Sequence, residues 1–327
     1  MHQARDKNRD DTIRLIFILG QAQALILPEL LKIHAKGNVY IFSPYEINEF
    51  ANTKYINIKP KSAAEYAKLI FQIFRLTAKI RKAAELFIYT PHLMNYLANK
   101  FYFANKDKIK LYYLFDGTLN YRPVSANEEP ALSYQNRQKI KSLAVFHKYV
   151  FLRNQIVDTK LRGAQAFIGP NGMIESRLLC DLPIHKINIE LGDYTPKRKI
   201  LLLEPILPSD KLIEFENWAR KVISDNLSNY QLIIKPHPSA PASLLNTNKL
   251  SDCCTDVIVL SEKSPAELIF SREGCSVVLS TLSSATLMIK TAFPLAQAYI
   301  TTQTQIETDG NLHIIKLIMK EAGVNIS

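Results

Sequence analysis

No stretch of the 327 residues holds about 18 uninterrupted apolar residues, the length a membrane-spanning helix needs. The apolar run at 13–19 is too short for that, and the polar start MHQARDKNRDD lacks the apolar centre of a secretory signal. The four cysteines, at 180, 253, 254 and 275, form no CxxC pair, which argues against the usual zinc and redox motifs. Without a secretory signal, that cysteine usage points to a reduced compartment, and the expected location is cytoplasmic. There is no GxGxxG, no Walker A sequence, no Asp-x-Asp triplet and no histidine pair at zinc-helix spacing. Zinc-finger, RNA-recognition and helix-turn-helix signatures are missing too, as are internal repeats and low-complexity segments.

What is present is ordinary globular material. Hydrophobic residues make up 47% and charged residues 22%, which excludes a disordered chain, a collagen and a coiled coil. The length allows two domains. Lys and Arg number 41 against 30 Asp and Glu, a formal charge of +11. That excess suits nucleic acid, an anionic membrane face or anionic substrates, or it serves solubility alone. The cations are spread over 5–14, 75–82, 106–110, 137–141 and 196–199, which argues against a nucleic-acid footprint.

Short apolar strands alternate with longer helical stretches, the pattern of an α/β protein with parallel sheets. Strands are predicted at 13–19, 38–42, 86–89, 110–115 and 166–168, and helices at 22–34, 62–84 and 134–146. In the long helix Leu69, Ile70, Ile73, Leu76 and Ile80 fall on one face, while Pro28 weakens the first helix. Residues 181–199 read as an irregular linker. A second series follows, with strands at 199–203, 231–234, 257–260, 276–280 and 296–300. Its helices are at 209–226 (N-capped by Ser209), 264–270, 283–290 and 311–322. The expected architecture is two Rossmann-like domains, 1–190 and 191–327, facing a cleft. Ligands of such sheets bind outside the carboxyl ends of the strands.

Four strand ends carry the chemistry-bearing residues. Gly20-Gln21 follows the first strand, and Asp116-Gly117 follows LYYLF. Asp116 reads as a general base or as the first residue of a common Asp-Gly turn. Lys235-Pro236-His237-Pro238 follows the strand QLII. The two prolines stiffen the backbone around His237, an imidazole that can hydrogen-bond a phosphate or move a proton, or simply cap a strand. Ser280, Thr281, Ser283 and Ser284 gather where a helix begins. Free N–H groups and hydroxyls there suit a phosphate, and they equally suit ordinary capping.

In order and spacing these segments resemble the bacterial sialyltransferases that use CMP-sialic acid, the lipooligosaccharide sialyltransferase and polysialyltransferase group. That family has an acidic-acidic-Gly motif in its first domain, then a His-Pro motif and a Ser/Thr motif in its second. The counterparts are Phe115-Asp116-Gly117, Lys235 to Pro238, and Ser280 to Ser284; Gly20-Gln21-Ala22-Gln23 and Ser264-Pro265-Ala266-Glu267 agree more loosely. Phe115 stands where the family has its first acid, leaving Asp116 as the motif's one acidic residue. The resemblance implies a GT-B glycosyltransferase that inverts configuration and needs no metal or other cofactor. Asp116 and His237 would be catalytic. Gly20, Gln21, Lys235, Pro238, Ser280, Thr281, Ser283 and Ser284 would hold CMP, with Gly117, Pro236 and Glu267 in support. It also implies a lipid-linked glycan acceptor of a lipopolysaccharide, lipooligosaccharide or capsule, and peripheral contact with the cytoplasmic face of the inner membrane, where Lys/Arg-bearing helices would meet anionic lipid; the spread of the cations argues against a nucleic-acid partner. Two alternatives are another two-domain glycosyltransferase with a different sugar nucleotide and a non-catalytic binder of anionic polymers.

Overall fold

The computed structural model describes residues 12–34, 37–45, 47, 50–116, 125–129, 131–173, 175, 181–189, 191–237, 240, 242–262, 264–302 and 312–327. The chain divides into two compact units. One takes in Met1–Pro170 and Leu179–Asn188, the other Asn171–Leu178 and Ile189–Ser327.

The first unit is built on a parallel sheet. Its strands are β1 (Thr12–Phe17), β2 (Asn38–Ser43), β3 (Thr53–Asn57), β4 (Glu85–Thr90), β5 (Ile109–Leu114), β6 (Ala164–Pro170) and β7 (Ile184–Ile187). They lie side by side in the order β3-β2-β1-β4-β5-β6-β7. Helices α1 (Gln21–His34), α2 (Ala63–Lys82), α3 (Tyr96–Phe103) and α4 (Ala131–Leu143) connect them. Central strands covered on both faces need apolar residues throughout, and β1 supplies them with Leu15, Ile16 and Phe17 all buried. The ring of Phe17 stacks on Phe42 of β2 with centroids 4.6 Å apart.

In α2 the buried face is Leu69, Ile73, Leu76 and Ile80, and Ile70 is only half-buried beside it. Ser62 caps the helix by accepting from Glu65 N at 3.2 Å, and Glu65 reaches back to Lys61 N at 2.8 Å. Pro28 does not interrupt α1. Leu25, Ile26, Leu27, Leu30 and Leu31 are all buried around it, and this packing outweighs the hydrogen bond that proline cannot make.

The second unit repeats the plan. Its strands are β8 (Lys197–Leu203), β9 (Gln231–Lys235), β10 (Asp256–Val259), β11 (Cys275–Ser280), β12 (Gln297–Ile300) and β13 (Asn325–Ile326). Their order is β10-β9-β8-β11-β12-β13, again parallel throughout. Helices α5 (Ser209–Asn226), α6 (Thr247–Ser251), α7 (Ala266–Glu273), α8 (Ser284–Ala292) and α9 (Leu312–Glu321) make the crossovers. Phe215, Trp218, Ala219 and Ile223 of α5 pack on Ile200, Leu202, Leu232 and Ile234 of the sheet in one core.

Several elements differ from expectation. The segment read as a linker contains strand β7, an edge strand with only Ile187 buried, and β8 starts at Lys197 rather than 199. Strand β3 and helix α3 were not anticipated. The α5 cap is Pro208, with no side-chain bond, so Ser209 is the first helical residue and not the cap. Helix α7 starts at Ala266, just past Pro265. Helix α4 lies three residues earlier than the expected 134–146. It closes with bonds from Phe146 N to Leu143 O (3.0 Å) and from His147 N to Ser142 O (3.1 Å). This is a Schellman ending, and Phe146 takes the left-handed position, at φ 49°, that glycine usually fills. Among the described residues no helix is long and apolar enough to cross a membrane.

Candidate active site

In a doubly wound sheet the two strands flanking the reversal of strand order leave a crevice at their carboxyl ends. In the first unit those strands are β1 and β4, with β5 next in line. Gly20 lies three residues past β1, His92 two past β4 and Asp116 two past β5. The structure ties two of these strand ends together through Gln23, in the first turns of α1. Its Nε2 donates to Phe115 O at 2.9 Å and to Asp116 Oδ1 at 2.7 Å, and its Oε1 accepts from Gly20 N. A Cβ at position 20 would stand 3.0 Å from Gln23 Oε1 and 3.6 Å from Asp116 Oδ1, so the missing side chain of Gly20 makes room for the clamp.

Phe115 is buried, its ring edge-on to Phe167 with centroids 6.4 Å apart, and its N–H donates to Ile168 O at 2.9 Å. The side chain at the position of the family's first acid therefore belongs to the core. Asp116, one residue on, remains partly accessible. Burial pushes its carboxyl up to about 6, against the opposing pull of the Gln23 hydrogen bond. A carboxylate with a pKa near neutrality is suited to take a proton.

Two phenols face it: the charge of Asp116 adds to the burial that raises both Tyr45 and Tyr134. Tyr134 meets His92 edge-on at 6.0 Å. His92 is enclosed, and burial lowers its pKa to about 4, so its ring is neutral at pH 7. Asp116 is thus coupled to two phenols, Tyr45 and Tyr134, and Tyr134 also feels the charge of Arg137.

In the second unit β8 and β11 flank the reversal, with β9 beside β8. Lys235 ends β9 and is buried. Burial lowers its pKa, and the charges of Glu267 and Glu262 pull it back up. Glu267, in the first turn of α7, is buried as well and is pushed up to about 7, chiefly by desolvation, with its own backbone N–H and Lys235 opposing. Glu262 is held by Arg272, whose Nη1 donates at 3.0 Å, and by Ser264 Oγ at 3.0 Å. His237 is exposed, two residues beyond the strand, and its carbonyl accepts from Ala240 N at 2.8 Å. Desolvation, then the Lys235 ammonium, lower its pKa below the usual imidazole value. At pH 7 its ring is mostly a neutral hydrogen-bond donor and acceptor.

At the end of β11 the hydroxyls divide. Ser280 is buried; its Oγ donates to Thr281 O at 2.6 Å and shares a 2.5 Å bond with Thr286 Oγ1, closing the turn from within. Ser283 caps α8, its Oγ accepting from Ala285 N at 3.2 Å. Thr281 and Ser284 are half-buried at the rim, and Ser284 opens the helix.

The structure therefore groups the sequence-derived candidates into two sets. Gly20 and Asp116 lie in the first unit, with Gln21 at the start of α1. Lys235, Pro236, His237, Glu267 and the Ser280 to Ser284 turn lie in the second. Gly117, Pro238 and the Gln21 side chain are outside the described residues. Two roles went unforeseen in the sequence, that of Gln23, named only within the looser Gly20-to-Gln23 agreement, and that of Glu204. Gln23 acts through a partner 92 residues away, which no local pattern reveals. Glu204, buried just past β8, takes Leu244 N on Oε1 at 2.6 Å and anchors the loop that follows His237.

Each unit has the 3-2-1-4-5-6 strand order of a Rossmann sheet, extended by one strand in the first. The chain thus contains two Rossmann-like α/β domains. No protein-family model and no curated protein matches it. Solved structures similar to it include MurG of Acinetobacter baumannii (10% identity, TM-score 0.47, covering 97% of this chain and 86% of that one). Another is a Vibrionaceae Photobacterium 2,6-sialyltransferase in complex with CMP and lactose (12%, 0.49, 96% and 78%). A third is the UDP-N-acetylglucosamine 2-epimerase of Rickettsia bellii (12%, 0.46, 94% and 88%).

Proposed function

We propose that this protein is a GT-B glycosyltransferase that moves sialic acid from CMP-sialic acid to a hydroxyl of a bacterial surface glycan, with inversion and without a metal. The observation that carries the reading is Asp116: a carboxyl at a strand end, clamped by Gln23, with its pKa raised to about 6. Its place within the sialyltransferase-like series of motifs supplies the choice of donor.

In this reading Asp116 removes the proton from the acceptor hydroxyl as that oxygen attacks the anomeric carbon. The bond from that carbon to the CMP phosphate oxygen breaks with its electron pair, so charge grows on the phosphate. His237, mostly neutral, serves as a hydrogen-bond donor to that oxygen rather than as a reservoir of protons. The Lys235 charge and the N–H groups opening α8 oppose the same growing charge. Donors fixed before the reaction spend nothing on reorganising, and one of them is worth about 3–4 kcal/mol. The phenols of Tyr45 and Tyr134, both coupled to Asp116, suit an acceptor sugar.

The test is a donor panel of CMP-sialic acid, another CMP-linked 3-deoxy sugar, and UDP and GDP sugars, with Asp116→Ala beside the wild type. Transfer from CMP-sialic acid alone, lost in the variant, supports the proposal. Transfer from another nucleotide sugar leaves the enzyme class and replaces the donor. Polymer binding with no transfer from any donor favours the non-catalytic reading, to which the Phe115 substitution of the acidic motif lends weight.

A further inference from the structure

On the first unit, away from the strand ends, α2 and the end of α4 expose large apolar side chains. Phe71 is 61% exposed, Phe74 44%, Ile140 70%, Leu143 68% and Phe146 82%. They form one ridge rather than scattered spots. Phe71 and Phe74 are one turn apart on α2, as are Ile140 and Leu143 on α4, and the rings of Phe74 and Phe146 join the two helices at 5.7 Å. Contiguous exposed apolar surface marks a place where something docks.

The turn that presents Phe146 is held in a specific way. Lys100 Nζ donates to Val145 O at 3.0 Å, and the Schellman bonds fix the residues around it. Phe146 is both strained, as a bulky residue at φ 49°, and open to water. Neither condition stabilises the isolated protein, and strain of this kind collects where a protein binds something.

The charge around the ridge identifies the occupant. Helix α2 carries Lys68, Arg75, Lys79, Arg81 and Lys82 against Glu65 alone, and 131–150 carries Arg137, Lys139, Lys141 and Lys148 with no acid. The Arg75 guanidinium sits 5.6 Å over the Phe71 ring. Arg75 also lines a pocket of about 200 Å³, where it stands with Lys54, Lys79, Tyr40 and Tyr55 beside the apolar Ile56 and Leu76, with room for a phosphate. Phenylalanine and branched aliphatics flanked by lysine and arginine on amphipathic helices are the chemistry of an interfacial lipid contact. The apolar side chains enter the acyl boundary while the cations meet anionic headgroups. A nucleic-acid surface would offer polar donors in place of the aliphatic ridge.

We infer that the α2–α4 face docks on an anionic lipid bilayer, with Phe71, Phe74, Ile140, Leu143 and Phe146 inserted and the Arg75 pocket taking a headgroup phosphate. This rests on the exposed ridge and its charge, independently of the sugar donor.

The experiment is co-sedimentation of the full chain with vesicles of phosphatidylcholine alone, or with about 30 mol % phosphatidylglycerol, at about 0.15 M salt. Binding is expected to the anionic vesicles only. It should weaken at least tenfold in Phe71→Ser/Phe74→Ser/Phe146→Asn, and again in Ile140→Ser/Leu143→Ser, a second variant that leaves the Schellman turn alone. Arg75→Glu/Lys79→Glu should weaken it without changing the apolar ridge. Circular dichroism and melting confirm that each variant is folded. Wild type remaining in the supernatant with anionic vesicles overturns the inference, as does binding untouched by folded ridge variants. So does a self-association in the ultracentrifuge that the ridge variants abolish without any vesicle binding, which would make the face a contact between copies.

Discussion

Asp116 illustrates how enclosure alters a single carboxyl. Its pKa stands higher in the fold, near 6, than the ordinary 3.8, so the folded chain binds that proton more tightly. The stability linked to this group is therefore present below about pH 4 and declines as pH rises through 6. Asp116→Asn should consequently raise stability at pH 7, by roughly 1–3 kcal/mol in denaturant unfolding, while lowering turnover by about 10²–10⁴. With the base ionising near 6, kcat/KM should fall tenfold per pH unit on the acid side of that value. Gln23→Leu removes a hydrogen bond that favours the ionised form, so the acid limb should move to higher pH. The same change removes the Gln23 bonds to Gly20 N–H and Phe115 C=O and should cost about 1–3 kcal/mol of stability. Asp116 was legible because an acid directly after a buried strand stands out. The role of Gln23 was not, because glutamine early in a helix is ordinary until the fold brings the end of β5 to it.

At the scale of elements, what was legible follows burial. Strands covered on both faces, such as β1 and β9, are near-continuous apolar runs and announce themselves. Strand β3 has Ile56 as its one buried residue, and β7 only Ile187, so neither leaves a pattern. Helix α3 failed for the opposite reason: six of its eight residues are buried, so it has no polar face to alternate with. The turn after β11 was legible as a helix start, but the division of labour among its hydroxyls was not, since Ser280 turns inward to Thr286 while Ser283 caps. Ser283→Ala should cost about 1 kcal/mol through the lost cap. If the α8 terminus also faces the phosphate, CMP affinity should fall in that variant at a temperature where it is fully folded.

Across the whole molecule the chain builds the same sheet twice, and the candidate residues gather at the carboxyl ends of both. One set holds the Asp116 carboxyl, coupled to the phenols of Tyr45 and Tyr134. The other, around Lys235 and His237, supplies positive charge and hydrogen-bond donors. In the proposed reading the first set would serve the acceptor hydroxyl and the second the anionic nucleotide. The net charge of +11 was legible as a total, whereas its concentration on α2 and α4 beside an apolar ridge required the fold.

The most direct test is a calorimetric titration of the purified protein with CMP, in the absence of added metal, with His237→Ala as the comparison. The account predicts micromolar binding by the wild type and at least tenfold weaker binding by the variant, a loss of about 1.4 kcal/mol or more. No binding by well-folded wild-type protein, or equal binding by the two, would contradict the assignment of the second unit as a CMP-sugar site.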